Sequence, residues 1–88
     1  MVNLNEAVFT TKGVVIDKNP ILYVSHDEDD GAWQFHDGSD VDIEGSMLVS
    51  FGEILELDHS VSDIIDLPIG WIAEREGPDG VWRKSPIG

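Results

Sequence analysis

Residues 21–36 read ILYVSHDEDDGAWQFH, and the fold turns on how this stretch is parsed. Residues 21–25 and 32–36 are rich in β-branched and aromatic side chains, as half-buried strands are, while the run DEDDG between them has no apolar residue to bury. The spacing predicts an antiparallel hairpin closed by a five-residue loop at 27–31. In that register Tyr23 stands opposite Phe35 and Ser25 opposite Trp33 on one face, with Leu22 and Val24 on the other. The aromatics gather, and the acids go to the tip, where water screens their mutual repulsion.

Upstream, residues 7–11 (AVFTT) and 14–16 (VVI) have strand composition, with Gly13 a bend or bulge between them. Asn19-Pro20 marks a turn, because proline fixes its own φ and pushes Asn19 out of the helical region. Downstream, residues 38–46 are polar and acidic and read as a loop, and residues 47–49 as a short strand. Ser50-Phe51-Gly52-Glu53 has the form of a capping box, a serine hydroxyl and a glutamate three residues later, and predicts a helix over about 51–57. Ser60-Val61-Ser62-Asp63 is a second start signal, stopped at Pro68. Residues 69–76 (IGWIAERE) alternate like a strand, Gly77-Pro78-Asp79-Gly80 is a turn, and residues 81–84 (VWRK) return as a hairpin partner. The expected architecture is one α+β domain over residues 1–88. It has an antiparallel or mixed sheet of about five to six strands, with two short helices between the hairpin strand 32–36 and the C-terminal hairpin.

A chain of 88 residues, 41% of them hydrophobic, supports one modest core; at this size folding buries only about 60–65% of the chain's surface. No cysteine is present, so neither disulfides nor thiolate metal sites contribute. The start MVNLNEAVFTTKG lacks a basic segment followed by an apolar run, and no stretch approaches the roughly 18 apolar residues of a membrane span. A cytoplasmic protein with no membrane association is expected.

Charge is unevenly distributed. Residues 26–44 hold eight acids, Asp27, Glu28, Asp29, Asp30, Asp37, Asp40, Asp42 and Glu44, with no lysine or arginine. Residues 53–66 hold five more, Glu53, Glu56, Asp58, Asp63 and Asp66, also unopposed, and the net charge is −13. Such a body repels nucleic-acid phosphates and anionic lipid and steers basic proteins toward itself. Direct nucleic-acid binding is therefore not expected.

Chemical readings of the acidic stretch fail on spacing. An EF-hand loop needs oxygen ligands at positions 1, 3 and 5, glycine at 6 and a bidentate glutamate at 12. With Gly31 at position 6, His26 occupies position 1. With Gly45 there, Asp40, Asp42 and Glu44 fall into register but Phe51 takes the place of the closing glutamate. His26, His36 and His59 form no HExxH pair, and the predicted register sets His36 opposite Leu22 rather than His26. The serines lie in no nucleophile-elbow context and no glycine-rich phosphate loop is present. No catalytic residue, metal ligand or cofactor site is assigned, and an enzyme is not expected. Of the tryptophans, Trp33 and Trp71 are expected in the core, and Trp82, beside Arg83, is expected to be partly exposed.

The segment DDGAWQFHDG, followed by SFGEILELDHSVSDIIDLPIGWIAERE, resembles a family of small bacterial domains, domain of unknown function 2185, associated with immunity proteins of polymorphic toxin systems. Gly31, Trp33 and Phe35 fill one of its motifs, and Leu67, Pro68 and Gly70 a second. The resemblance spans about residues 14–80. These are packing and turn residues, so the resemblance implies a fold, with no catalytic residue to carry over.

The leading expectation is a small acidic, non-enzymatic protein-binding domain. Its partner would be a basic protein, in the immunity-type version a toxin whose cationic substrate site the acids occlude. Candidate contact residues are Asp27, Glu28, Asp29, Asp30, Asp37, Asp40, Asp42, Glu44 and Trp82, with the acids of 53–66 extending the surface. Two alternatives are a calcium-like cation-binding domain using Asp40, Asp42 and Glu44, and an acidic mimic of nucleic acid.

Overall fold

The computed structural model describes residues 3–38 and 45–87. Its α+β fold has one mixed six-stranded sheet and three short helices. The strands are β1 (Ala7–Thr11), β2 (Tyr23–His26), β3 (Trp33–His36), β4 (Ser46–Ser50), β5 (Trp71–Glu74) and β6 (Arg83–Pro86), in the spatial order β4-β1-β3-β2-β5-β6. The β1–β3 pair is parallel and the other four pairs are antiparallel. Helix α1 is Lys12–Val15 and α2 is Phe51–Leu57, and a 3-10 helix covers His59–Ile64.

The hairpin of 21–36 forms, one residue out of the predicted register. Tyr23 stands opposite His36, Val24 opposite Phe35, Ser25 opposite Gln34 and His26 opposite Trp33. A one-residue slip reassigns every side chain to a new cross-strand partner. The cause is the turn: Asp27 N–H donates to the Ala32 carbonyl at 2.7 Å, so the strands pair one residue further toward the tip than a five-residue loop allows. Gly31 closes the connection at φ +72°, a left-handed conformation that side chains with a Cβ rarely adopt, and its N–H donates to the Asp27 carbonyl. Val24, not Tyr23, therefore shares the core face with Phe35 and Trp33, and all three are buried.

Residues 14–16 are not a strand. Thr11 takes extended geometry and its Oγ1 accepts from the Val14 N–H at 3.3 Å, capping α1 and overriding the β-propensity of Val14 and Val15. Gly13 lies inside this helix, where a Cβ would run into the Asp37 carboxylate. The Ser50 cap forms as the sequence predicts: its Oγ accepts from the Glu53 N–H at 3.2 Å. The cap of the next helix lies two residues before the predicted Ser60: Asp58 caps it, and its Oδ1 accepts from both the N–H and the hydroxyl of Ser60. The closing hairpin also shifts. Glu74 pairs with Arg83, so β6 begins two residues after the predicted strand 81–84.

One cluster forms the core. Val8, Trp33, Phe35, Val24 and Ala73 come from one face of the sheet, Val14 from α1, Phe51 and Ile54 from α2, Val61 and Ile64 from the 3-10 helix, with Ile21 and Leu67 from the connections. The Phe51 ring meets Trp33 and Phe35 edge-on, at 5.1 and 5.5 Å between centroids, a geometry that aromatic quadrupoles favour. The alternation of Val8 and Thr10 inward with Phe9 outward follows the two-residue period of a strand. Thr10 is tolerated inside because its hydroxyl donates to the Phe35 carbonyl at 3.0 Å.

Candidate functional site

Strand register fixes where the acids go. β2 ends and β3 begins at the hairpin tip, and because β1 runs parallel to β3 and β4 antiparallel to β1, Ser50 and the start of α2 lie at that same end of the sheet. Asp27, Glu28, Asp29 and Asp30 therefore share an end with Glu53. Asp37 follows His36 and lies at the opposite end, as does Trp82, which precedes the Glu74–Arg83 pair. The sequence-predicted surface from Asp27 to Asp37 is thus divided between two ends of the domain. Asp40, Asp42 and Glu44, and with them the calcium-like register, lie outside the described residues. Among the described residues no group of three or more His, Asp or Glu side chains is placed to hold a metal ion.

The tip acids have different duties. Asp30 Oδ1 accepts from the Ala32 N–H at 2.9 Å, and Asp27 Oδ2 accepts from Gln34 Nε2 at 2.6 Å, so both hold the turn. Glu28 and Asp29 are exposed and make no ion pair among the described residues. The four acids and Ile87 line a hollow of about 300 Å³. A larger groove of about 600 Å³ opens beside α2, between Leu4 and Leu55, with Glu53, Glu56 and His59 on its walls.

The cations after Lys18 are committed within the chain. Arg75 reaches Asp58 at 2.6 Å, Lys84 reaches Asp66 at 3.1 Å and Arg83 reaches Glu76 at 3.6 Å. Burial alone would raise the Asp58 carboxyl, but the hydroxyl and N–H of Ser60 together with Arg75 pull it below its ordinary value. Lys84, hydrogen-bonded to the exposed Asp66, lowers that carboxyl too. The acids left without ion pairs among the described residues include Glu28, Asp29, Glu53, Glu56 and Asp63.

Arg75 is the residue that sequence reasoning missed. It is 5% exposed, donates from Nε to the Ile21 carbonyl at 2.9 Å and from one terminal nitrogen to Ser60 Oγ and the Pro78 carbonyl, and lies 4.2 Å over the Trp82 ring. Trp82 is half-buried by this stacking and donates from Nε1 to the Ser60 carbonyl at 3.2 Å. The alternation of residues 69–76 carried the signal: Trp71, Ala73 and Arg75 fall on one side of the strand, which sets a cation toward the core.

His26 and His36 are held within the sheet. His26 stacks on Trp33 at 4.0 Å and its Nδ1 donates to the Leu67 carbonyl at 2.7 Å. His36 lies on the opposite face of the sheet. Because Gln34 donates its amide to Asp27, its carbonyl oxygen faces His36 and accepts from Nε2 at 3.1 Å, leaving Nδ1 buried without a hydrogen-bond partner. Burial pushes the His36 pKa below 6.5, against the opposing pull of Asp37 and Asp27.

Among the described residues no helix is long and apolar enough to cross a membrane. Compared with known proteins, the chain matches no family model, no curated protein and no solved structure.

Proposed function

We propose that this chain is a small acidic protein-binding domain that acts by occupying a basic protein partner and performs no chemistry of its own. The observation that carries the reading is the separation of charge: residues 19–74 hold fourteen acids and no lysine or arginine, and the cations that follow are tied into ion pairs with Asp58, Glu76 and Asp66. The remaining carboxylates present a one-signed field, which accelerates encounter with a cationic surface and disfavours acidic ones. The contact surface in this reading is the tip, through Glu28 and Asp29, together with Glu53 and Glu56 on the wall of the groove at Leu4 and Leu55.

In its finer form the proposal is a bacterial immunity-type role, as the resemblance to domain of unknown function 2185 implies: the carboxylates complement cationic residues in a toxin's substrate site and block it. The test is capture from the source cell at low salt. A basic protein should be retained stoichiometrically and released steeply as salt rises. For the immunity form, the captured protein should be a toxin whose activity falls on titration with this domain.

A further inference from the structure

We infer that the groove beside α2 is the socket for one arginine side chain of a protein partner. The inference rests on the acidic-binding reading for the kind of partner, and on the groove itself for the residue it takes. At about 600 Å³ the groove falls in the size range of ligand clefts, with room for an extended side chain and the backbone that carries it. Leu4, 53% exposed, and the half-buried Leu55 supply its apolar surface, and Glu53 and Glu56 its carboxylates.

The N-terminal segment builds this groove onto the helix. Gly52 N–H donates to the Leu4 carbonyl and Phe51 N–H to the Glu6 carbonyl, each at 2.9 Å, which seats Leu4 against the first turn of α2. A Cβ at position 52 would crowd the Leu4 carbonyl at 3.3 Å, so glycine permits the close approach. The same bonds set the sign of the ligand. Free amides at a helix start attract anions, but those of Phe51 and Gly52 are spent on carbonyls and that of Glu53 on Ser50 Oγ. Carboxylate is what remains to meet a ligand. Glu53 accepts from the Ser50 hydroxyl at 3.5 Å, and neither it nor Glu56 has an ion pair among the described residues.

A ligand that matches both the leucines and the unpaired carboxylates is apolar along its length and cationic at its end, as long basic side chains are. Glu53 and Glu56 stand three positions apart, and therefore on one face of α2. A planar guanidinium carries five donors and can engage both, whereas an ammonium is a compact, strongly hydrated point charge. Arginine is the better fit.

The experiment is an NMR titration of the purified chain with Nα-acetyl-arginine amide at constant ionic strength. The expected result is a saturable shift of the Leu4 and Gly52 to Glu56 amides, with a dissociation constant on the order of 1–10 mM for so small a probe. Nα-acetyl-lysine amide should bind about threefold more weakly, and guanidinium alone or Nα-acetyl-norleucine amide at least about tenfold more weakly, since each lacks one half of the match. Leu4→Ser, at an exposed position, and Glu53→Gln with Glu56→Gln should each weaken the arginine probe at least about fivefold without changing the melting temperature, whereas Glu28→Gln with Asp29→Asn at the tip should leave it unchanged. Shifts that never saturate or centre on the tip, norleucine or guanidinium binding as well as arginine, or indifference to Leu4→Ser would overturn the socket. Those results leave a salt-sensitive complex with a basic protein standing. A saturable arginine site in a chain that retains no basic protein upholds the socket and contradicts the broader reading instead.

Discussion

Asp58 and Arg75, seventeen residues apart in the chain, meet at 2.6 Å at the end of the sheet away from the hairpin tip. The contact joins the cap of the 3-10 helix to the residue that follows β5, and through the same guanidinium to the carbonyls of Ile21 and Pro78 and the ring of Trp82. A buried cation with these partners is stable only as a set, because each partner removed leaves the others desolvated and unpaired.

Asp58→Ala is expected to cost about 3 kcal/mol or more, since it strands the Arg75 charge in the interior and removes a helix cap. For a domain of this size that lowers Tm by roughly 12 °C or more. Replacing both residues, as Asp58→Leu with Arg75→Met, should cost less than the sum of the two single changes, because no charge is then left alone. Thermal unfolding of the three variants checks both statements.

Acid should unfold the wild type partly through this pair. Asp58 has a lowered pKa in the folded state, so the stability it contributes is present above its unfolded value of about 3.8 and is lost as pH falls through the lower folded value. Urea midpoints measured from about pH 6 downward should fall in this range, and Asp58→Asn should flatten that part of the curve.

His36 gives a separate step at higher pH. Its folded pKa is depressed by burial, so the unfolded chain takes up the proton first. Its contribution is present above about pH 6.5 and is lost as pH falls toward the folded value. His36→Gln should remove the step, and an NMR titration of the imidazole should give a midpoint below 6.5. A midpoint above 6.5 would contradict the depression by burial.

Gly31 holds the register of the hairpin. At φ +72° with only Ile69 within 4 Å of a built Cβ, Gly31→Ala meets backbone strain rather than a clash and should cost about 1–2 kcal/mol. Gly31→Asn should cost less, because asparagine tolerates the left-handed region. Chemical denaturation of the two variants separates these outcomes.

Much of the fold was legible because its determinants are local. The Ser50–Glu53 cap, the tip turn and the alternation in residues 69–76 each depend on residues a few positions apart, and each formed. What escaped depends on contacts made across the chain. The hairpin register was set by one backbone bond, Asp27 to Ala32, that composition does not encode. The helix at Lys12–Val15 overrides the β-propensity of its valines through the cap from Thr11. The 3-10 helix is capped by Asp58 rather than Ser60, and that carboxylate also binds Arg75, a partner no local pattern reveals. For the candidate site, the sequence supplied the acids and the topology divided them: Asp37 went to the end opposite Glu28 and Asp29, and two tip acids, Asp27 and Asp30, proved to hold the turn.

That division defines the most direct test of acidic recognition. The variant Glu28→Gln, Asp29→Asn, Glu53→Gln, Glu56→Gln removes four carboxylates that make no ion pair among the described residues, and leaves Asp27, Asp30 and Asp58 in their structural roles. The measurement is retention of a basic protein from the source cell by wild type and variant across a salt series, with affinity then determined on the purified pair. The account predicts a stoichiometric complex that weakens steeply with salt and, at low salt, binds the variant at least tenfold more weakly. A complex equally tight with the variant and indifferent to salt, or retention of no basic protein by the wild type, would contradict it.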